Sequence, residues 1–352
     1  MLTISNSTLP SVLLISRSDS SPSPECTTAA PGKYGRVDDY SACNAYYTYN
    51  PSLAAAVLFT VLFGLLTVAH ISQAFWYKKR FTWVVITGVL FEVTSFVCRT
   101  LGSRDQQNVG LATASQLLFL LAPLWINAFV YMTFGRMVHF FHPERRCAGL
   151  KASSIAKYFV WADIVSFLVQ AAGGMMLNPG SGADVQSVGL KVYMAGVGVQ
   201  EGFIVAFTVL GIMFVRDMTD IEQQGRVVES RTGWRLQMWS TFTVLVLITI
   251  RIIFRLVEFT KGFEPGNPML FNEAFVYALD ATPMFLALLL LSVIHPGRVL
   301  IGVDSDFPRL SRREKKILKR EKKTMKEKRK SQKHGNKSNG YVDAEAGLSQ
   351  VD

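Results

Sequence analysis

Seven stretches of about 20 apolar residues dominate this chain, each long enough to cross the hydrocarbon core of a bilayer as a helix. They run roughly from Leu53 to Phe75, Phe81 to Leu101, Ala114 to Phe134, Tyr158 to Leu177, Val192 to Val215, Met238 to Phe259 and Ala274 to Ile294. Composition agrees, since 49% of the 352 residues are apolar, more than a soluble domain of this size usually carries. The expected fold is an all-α membrane protein, a single seven-helix transmembrane bundle over 51–298. A Ser/Pro/Thr-rich tail over 1–50 precedes it and a basic tail over 299–352 follows it.

Orientation follows from the basic residues, which short loops retain on the cytoplasmic side. The first, third and fifth loops hold Lys78, Lys79, Arg80, Arg136, Arg145, Arg146, Lys151, Lys157, Arg216, Arg226, Arg231 and Arg235; the others hold only Arg104, Lys191 and Lys261. Twelve against three places the N-terminus outside and, after an odd number of spans, the C-terminus in the cytosol. The formal charge of +11 therefore belongs to loops and tails and not to a nucleic-acid groove.

Inside the sixth window the run Ile248-Thr249-Ile250-Arg251-Ile252-Ile253-Phe254-Arg255-Leu256-Val257-Glu258-Phe259 carries three charges. Arg251 and Arg255 are four apart and Glu258 lies three beyond, so a helix projects all three from one face. An arginine near the middle of a membrane helix costs roughly 2.5–3.5 kcal/mol on insertion scales, so partners are expected on neighbouring helices. Helix two offers Glu92 near its middle and Arg99 near its outer end, seven apart on one face. Helix four carries Asp163 and Gln170, helix five Gln200 and Glu201, and helix seven Glu273 and Asp280, the last three residues before Pro283. Two readings stay open for this set. It is a network of ion pairs and hydrogen bonds that fixes helix register, or a polar cavity, open to the outer leaflet, that receives an ionic headgroup while the apolar part of a substrate stays among the helices.

Pro123 and Pro283 each remove a helical hydrogen bond, the second at the carbonyl of Leu279 beside Asp280. Ala171-Ala172-Gly173-Gly174, Gly196 and Gly198 allow backbones to approach closely and point to packing. His70 and Gln73 close the inner end of helix one, His70 read as a satisfied interfacial side chain in preference to a proton relay. The short run Val12-Leu13-Leu14-Ile15 lacks a basic lead and the length of a signal peptide. Asn6-Ser7-Thr8 is a glycosylation candidate at Asn6, and Cys26 with Cys43 is a disulfide candidate or a pair of unpaired thiols. From Arg309 to Lys337 fifteen Lys and Arg surround a few apolar residues. This segment either lies on anionic lipid headgroups or is a solvated trafficking tail. No metal or cofactor motif is present.

Several motifs occur in order between about Tyr47 and Leu300: Tyr49-Asn50-Pro51-Ser52-Leu53, Glu92 with Arg99, Leu121-Ala122-Pro123 with Tyr131-Met132 and Gly135-Arg136, Asp163-Ile164-Val165-Ser166-Phe167 with Gln170 to Gly174, the Arg251 to Glu258 stretch, and His295-Pro296-Gly297-Arg298. Together they resemble the RTA-like family, the fungal lipid-translocating exporters. The resemblance implies a seven-helix fungal membrane protein with its N-terminus outside, linked to resistance to aminocholesterol and other toxic lipids, to export of sphingoid long-chain bases or to porphyrin movement. Two positions depart from the pattern: Asn272 stands before Glu273 where many members have His, and Ser95-Phe96 stands where Gly-Tyr is commoner.

The leading expectation is transport or efflux of amphipathic lipids or lipid-like toxins across a membrane, the plasma membrane or an internal one. A cationic sphingoid base would find counter-charges in Glu92, Glu201, Glu258 and Asp280. No Gly-x-x-x-x-Gly-Lys-Ser/Thr pattern occurs, so the driving force is expected from ion or substrate gradients. The alternative is a seven-helix receptor-like lipid sensor, although Asp-Arg-Tyr and Asn-Pro-x-x-Tyr signatures are absent. An enzyme is not expected, because the carboxylates have no clustered histidines or nucleophile beside them.

Overall fold

The computed structural model describes residues 28–302 except 40–41, 43, 48, 178–181, 226–232 and 261–267, and beyond them only positions 307, 317, 320, 324 and 325. Asn6, Cys26 with Cys43, and nearly all of the basic tail lie outside the described residues.

Where the described chain is apolar it is helical, because a helix satisfies every backbone group within its own segment. The helices are α1 (Leu53–Tyr77), α2 (Trp83–Gly102), α3 (Val109–Phe141), α4 (Ala152–Met176), α5 (Ala183–Gln223) and α6 (Trp234–Thr260), then α7 (Pro268–Phe271), α8 (Glu273–Val276) and α9 (Thr282–Val293). A π turn, Tyr277–Ala281, joins α8 to α9, so that the last three pieces run on as one rod. Among the described residues six spans are long and apolar enough to cross a membrane: α1 to α5 and the rod beginning at Glu273. At 27 residues α6 matches them in length.

Local chemistry sets the ends. The Ser52 hydroxyl accepts from Ala55 N–H at α1, and the Asn108 side chain accepts from Leu111 N–H at α3. The Asn272 side chain accepts from Ala274 N–H at α8; each is a favoured N-cap type. The departure at Asn272 thus has a structural role, capping the helix that opens with Glu273. Between α3 and α4 a two-residue antiparallel pair, β1 (Arg146–Cys147) and β2 (Leu150–Lys151), interrupts the helical pattern. Its turn residues Ala148 and Gly149 both have positive φ, 48° and 75°, as a tight hairpin turn requires.

Consecutive helices pack side by side, and α9 packs against both α6 and α1, which closes the ring. Because α3 also touches α5 and α6, it forms the inner wall and buries Phe119, Ala122, Ile126, Phe129, Tyr131 and Phe134. Large apolar side chains face outward on every long helix, among them Leu65, Leu90, Leu117, Leu168, Val205, Ile253 and Leu289. Exposed Trp76, Trp83 and Trp239 sit near the α1 C-terminus and the starts of α2 and α6. Antiparallel neighbours put those ends on one side, as in an interfacial aromatic belt. Close backbone approach is used where α4 meets α5: a Cβ on Gly173 would lie 2.5 Å from Tyr193 N, and one on Gly196 2.8 Å from Gln170 Cγ. Gly174 and Gly198 face open space.

Candidate functional site

The α6 helix turns Arg251, Arg255 and Glu258 inward while Ile250, Ile253 and Val257 on its other face are exposed. The partner they meet is Asp280, on the π turn. Arg251 Nη1 stands 2.7 Å from Asp280 Oδ1 and Arg255 Nη2 2.5 Å from Asp280 Oδ2, while Arg255 Nη1 donates to Glu258 Oε2 at 3.0 Å. Two guanidiniums are therefore matched by two carboxylates. None of the four residues is more than 6% exposed, and Asp280 is 0% exposed.

The inner wall completes this cluster. Arg251 Nη2 donates to the carbonyl of Phe119 at 3.0 Å. In a regular helix that carbonyl would accept from the N–H four residues on, but that residue is Pro123, which has none. Proline therefore leaves an acceptor inside the bundle and an arginine from another helix takes it. The Phe119 ring also lies under both guanidiniums, 4.8 Å from Arg251 and 5.5 Å from Arg255, within cation–π reach. Glu92 of α2 is fully buried, within electrostatic reach of Arg251, Asp280 and Arg255.

A second ionic group ties the N-terminal end of α1 to α2 and α8. Arg99 lies 3.5 Å from Glu273, donates to the Tyr49 hydroxyl and faces the Tyr277 ring at 5.5 Å. The other Glu273 oxygen accepts from Ser52 N–H at 2.7 Å. Burial pushes the Tyr49 hydroxyl above its ordinary value of 10.0, with the Arg99 charge opposing, so the phenol meets Arg99 as a neutral acceptor. Tyr49 and Tyr277 were not among the expected site residues, and neither was the Phe119 carbonyl; the signal for the last is Pro123.

The remaining polar residues do not converge on the arginines. Asp163 Oδ2 accepts from Asn127 Nδ2 and from the Tyr131 hydroxyl, both at 3.1 Å, which fastens α4 to α3. Gln170 donates to Gln200 at 2.7 Å, and half-buried Glu201 accepts from the Thr249 hydroxyl at 3.0 Å. Of the ten expected residues, Arg251, Arg255, Glu258 and Asp280 form one ion-paired cluster with Glu92 in its electrostatic reach, Arg99 and Glu273 form a second, and Asp163, Gln170 and Glu201 stand apart. The sequence raised an open polar cavity as one reading; in this structure the four paired side chains are at most 6% exposed, with the Phe119 ring against both guanidiniums. At the far end His70 donates to the Leu288 carbonyl at 3.1 Å, Tyr77 stacks on His295 at 4.6 Å, and Arg298 donates to the Tyr77 hydroxyl.

The model of the family described as RTA1 like protein matches residues 85–302, which include both ionic clusters. The chain belongs to the RTA1-like family. Its relatives include the probable lipid transporter atnI of Emericella nidulans, 42% identical over 298 residues, 83% of this chain and 78% of that protein. Protoporphyrin uptake protein 1 of Saccharomyces cerevisiae is 28% identical over 70% of this chain and 90% of its own length. The sphingoid long-chain base transporter RSB1 of the same species is 22% identical over 73% of this chain and 75% of its own length. No solved structure matches the chain. This RTA1-like chain is an integral, multi-pass membrane protein of all-α fold.

Proposed function

We propose that this protein moves amphipathic lipids or lipid-like toxins across the membrane it spans, and that the matched charges around Asp280 form the part of the bundle where an ionic headgroup is handled. On this reading α6 also crosses the membrane and brings the spans to seven, the N-terminus is outside the plasma membrane, and the activity confers resistance to sphingoid long-chain bases or sterol-like drugs. The observation that carries it is the Arg251–Asp280–Arg255–Glu258 cluster, four ionic side chains closed inside an apolar bundle. Ionisable residues at such depth are costly, and in membrane proteins they commonly mark substrate or ion pathways. The likeness to the lipid transporter atnI and the long-chain base transporter RSB1 supports the substrate class.

The test is movement of a fluorescent long-chain base across vesicles that contain only the purified protein, with Arg251→Ala and Glu258→Gln as controls. Transport that both controls lose is expected. Undiminished transport in both removes the cluster from the pathway. Binding without transport in the wild-type protein converts the reading to a sensor of membrane lipid.

A further inference from the structure

We infer that Glu92 is a proton-binding site and that the proton it holds allows the charged cluster to close. The inference rests on the proposed transport for its use in the cell, though the site itself is testable without transport.

Glu92 is 0% exposed, and among the described residues neither of its carboxyl oxygens has a hydrogen-bond partner. The charged groups that act on it are Arg251 and Arg255 of α6 and Asp280 of the π turn. The flanking helices bring rings to the next turn of α2, where Phe96 packs on Phe59 and Phe63 of α1 and Phe119 of α3. Of the titratable side chains of α1, His70 is bonded to the Leu288 carbonyl and Tyr77, at the helix end, stacks on His295.

The charge count then decides the state of Glu92. Arg251 and Arg255 are already balanced by Asp280 and Glu258, so an ionised Glu92 would add an unmatched negative charge where no donor meets it. A buried charge without partners costs far more than a buried neutral acid. With its proton, Glu92 leaves the cluster neutral. When the Glu92 O–H bond breaks and the proton passes to water, the new carboxylate competes with Asp280 for the Arg251 guanidinium. Asp280 sits on a π turn, an irregularity often found at functional sites, so the contact between α6 and the last rod is where that competition is felt. A proton gradient would then bias the cluster between closed and open, without any nucleotide.

The experiment is infrared spectroscopy of the purified protein in lipid vesicles at neutral pH, read at the carbonyl stretch of protonated carboxyl groups. A band that Glu92→Gln removes and Glu92→Asp shifts is the expected result. Identical spectra for wild type and Glu92→Gln overturn the proposal, and Glu92→Asp gives the same answer if the amide variant does not fold. In the second arm an imposed pH gradient speeds movement of a labelled long-chain base in the wild type and leaves Glu92→Gln unaffected. Equal response to the gradient in both overturns the coupling. The Glu92 band with no transport in any vesicle leaves the proton site standing and defeats the transport reading alone.

Discussion

Arg255 bridges two carboxylates, at 2.5 Å to Asp280 and 3.0 Å to Glu258, so its replacement tests whether the cluster is one energetic unit. Arg255→Met keeps most of the volume and removes the charge. Two buried carboxylates then face the single guanidinium of Arg251. Removing one partner of a buried ion pair costs about 3–5 kcal/mol. For a chain of this size each kcal/mol lowers Tm by about 2–4 °C, so a fall on the order of 10 °C is expected. Thermal unfolding of detergent-solubilised protein, followed with a thiol-reactive dye, reads it directly, because Cys147 is only 1% exposed in the fold. Adding Glu258→Gln to Arg255→Met leaves Arg251 against Asp280, a matched pair, and should recover at least half of the loss. A single variant that melts with the wild type, or a double variant that loses the sum of the two single changes, would refute the reasoning. Helix register would then be set by apolar packing and not by charge.

Cys147 lies outside the spanning helices, donates to the Leu210 carbonyl at 3.5 Å, and burial pushes its thiol up to about 11. The folded protein keeps this proton where the unfolded chain has lost it, so stability falls as pH rises from the ordinary value of 9.0 toward 11. Cys147→Ala should flatten that fall in tryptophan-monitored melting between those limits, and an unchanged slope would show that the thiol is not its source. Where α4 meets α5, Gly173→Leu drives a side chain into Tyr193 and Gly189 backbone atoms at 2.5 and 2.7 Å, whereas Gly174 has nothing within 4 Å. Size-exclusion profiles should show Gly173→Leu aggregated and Gly174→Leu monodisperse; matching profiles would contradict this helix contact.

The helices were legible because each needs about 20 apolar residues, a signal that survives any detail of packing. The inward face of α6 was legible too, since the spacing of Arg251, Arg255 and Glu258 fixes their common direction whatever they meet. What they meet was not legible. A π turn adds a residue to one helical turn, so faces before and after it fall out of register by about 100°. Regular spacing therefore does not tell that Glu273 belongs with Arg99 while Asp280, seven residues on, belongs with Arg251 and Arg255. The Phe119 carbonyl was hidden for a different reason: Pro123 announces an unbonded acceptor four residues back, and only the ring of helices shows which donor reaches it. Glu201 looked equivalent to Glu258 in sequence, yet it faces Thr249, because membrane depth alone does not specify azimuth around the bundle.

The closed cluster also limits how a cationic headgroup could enter on the proposed function. Displacing Arg251 from Asp280 would leave a guanidinium buried without its carboxylate, a state about as costly as breaking any buried pair, roughly 3–5 kcal/mol. Neutralisation at Glu92 avoids that cost, because an ammonium group arriving as the proton leaves keeps the total charge of the site unchanged. Proton and headgroup would then occupy Glu92 alternately and never together. Exchange, with a proton moving opposite to each cationic lipid, is the transport scheme in which neither step strands an arginine.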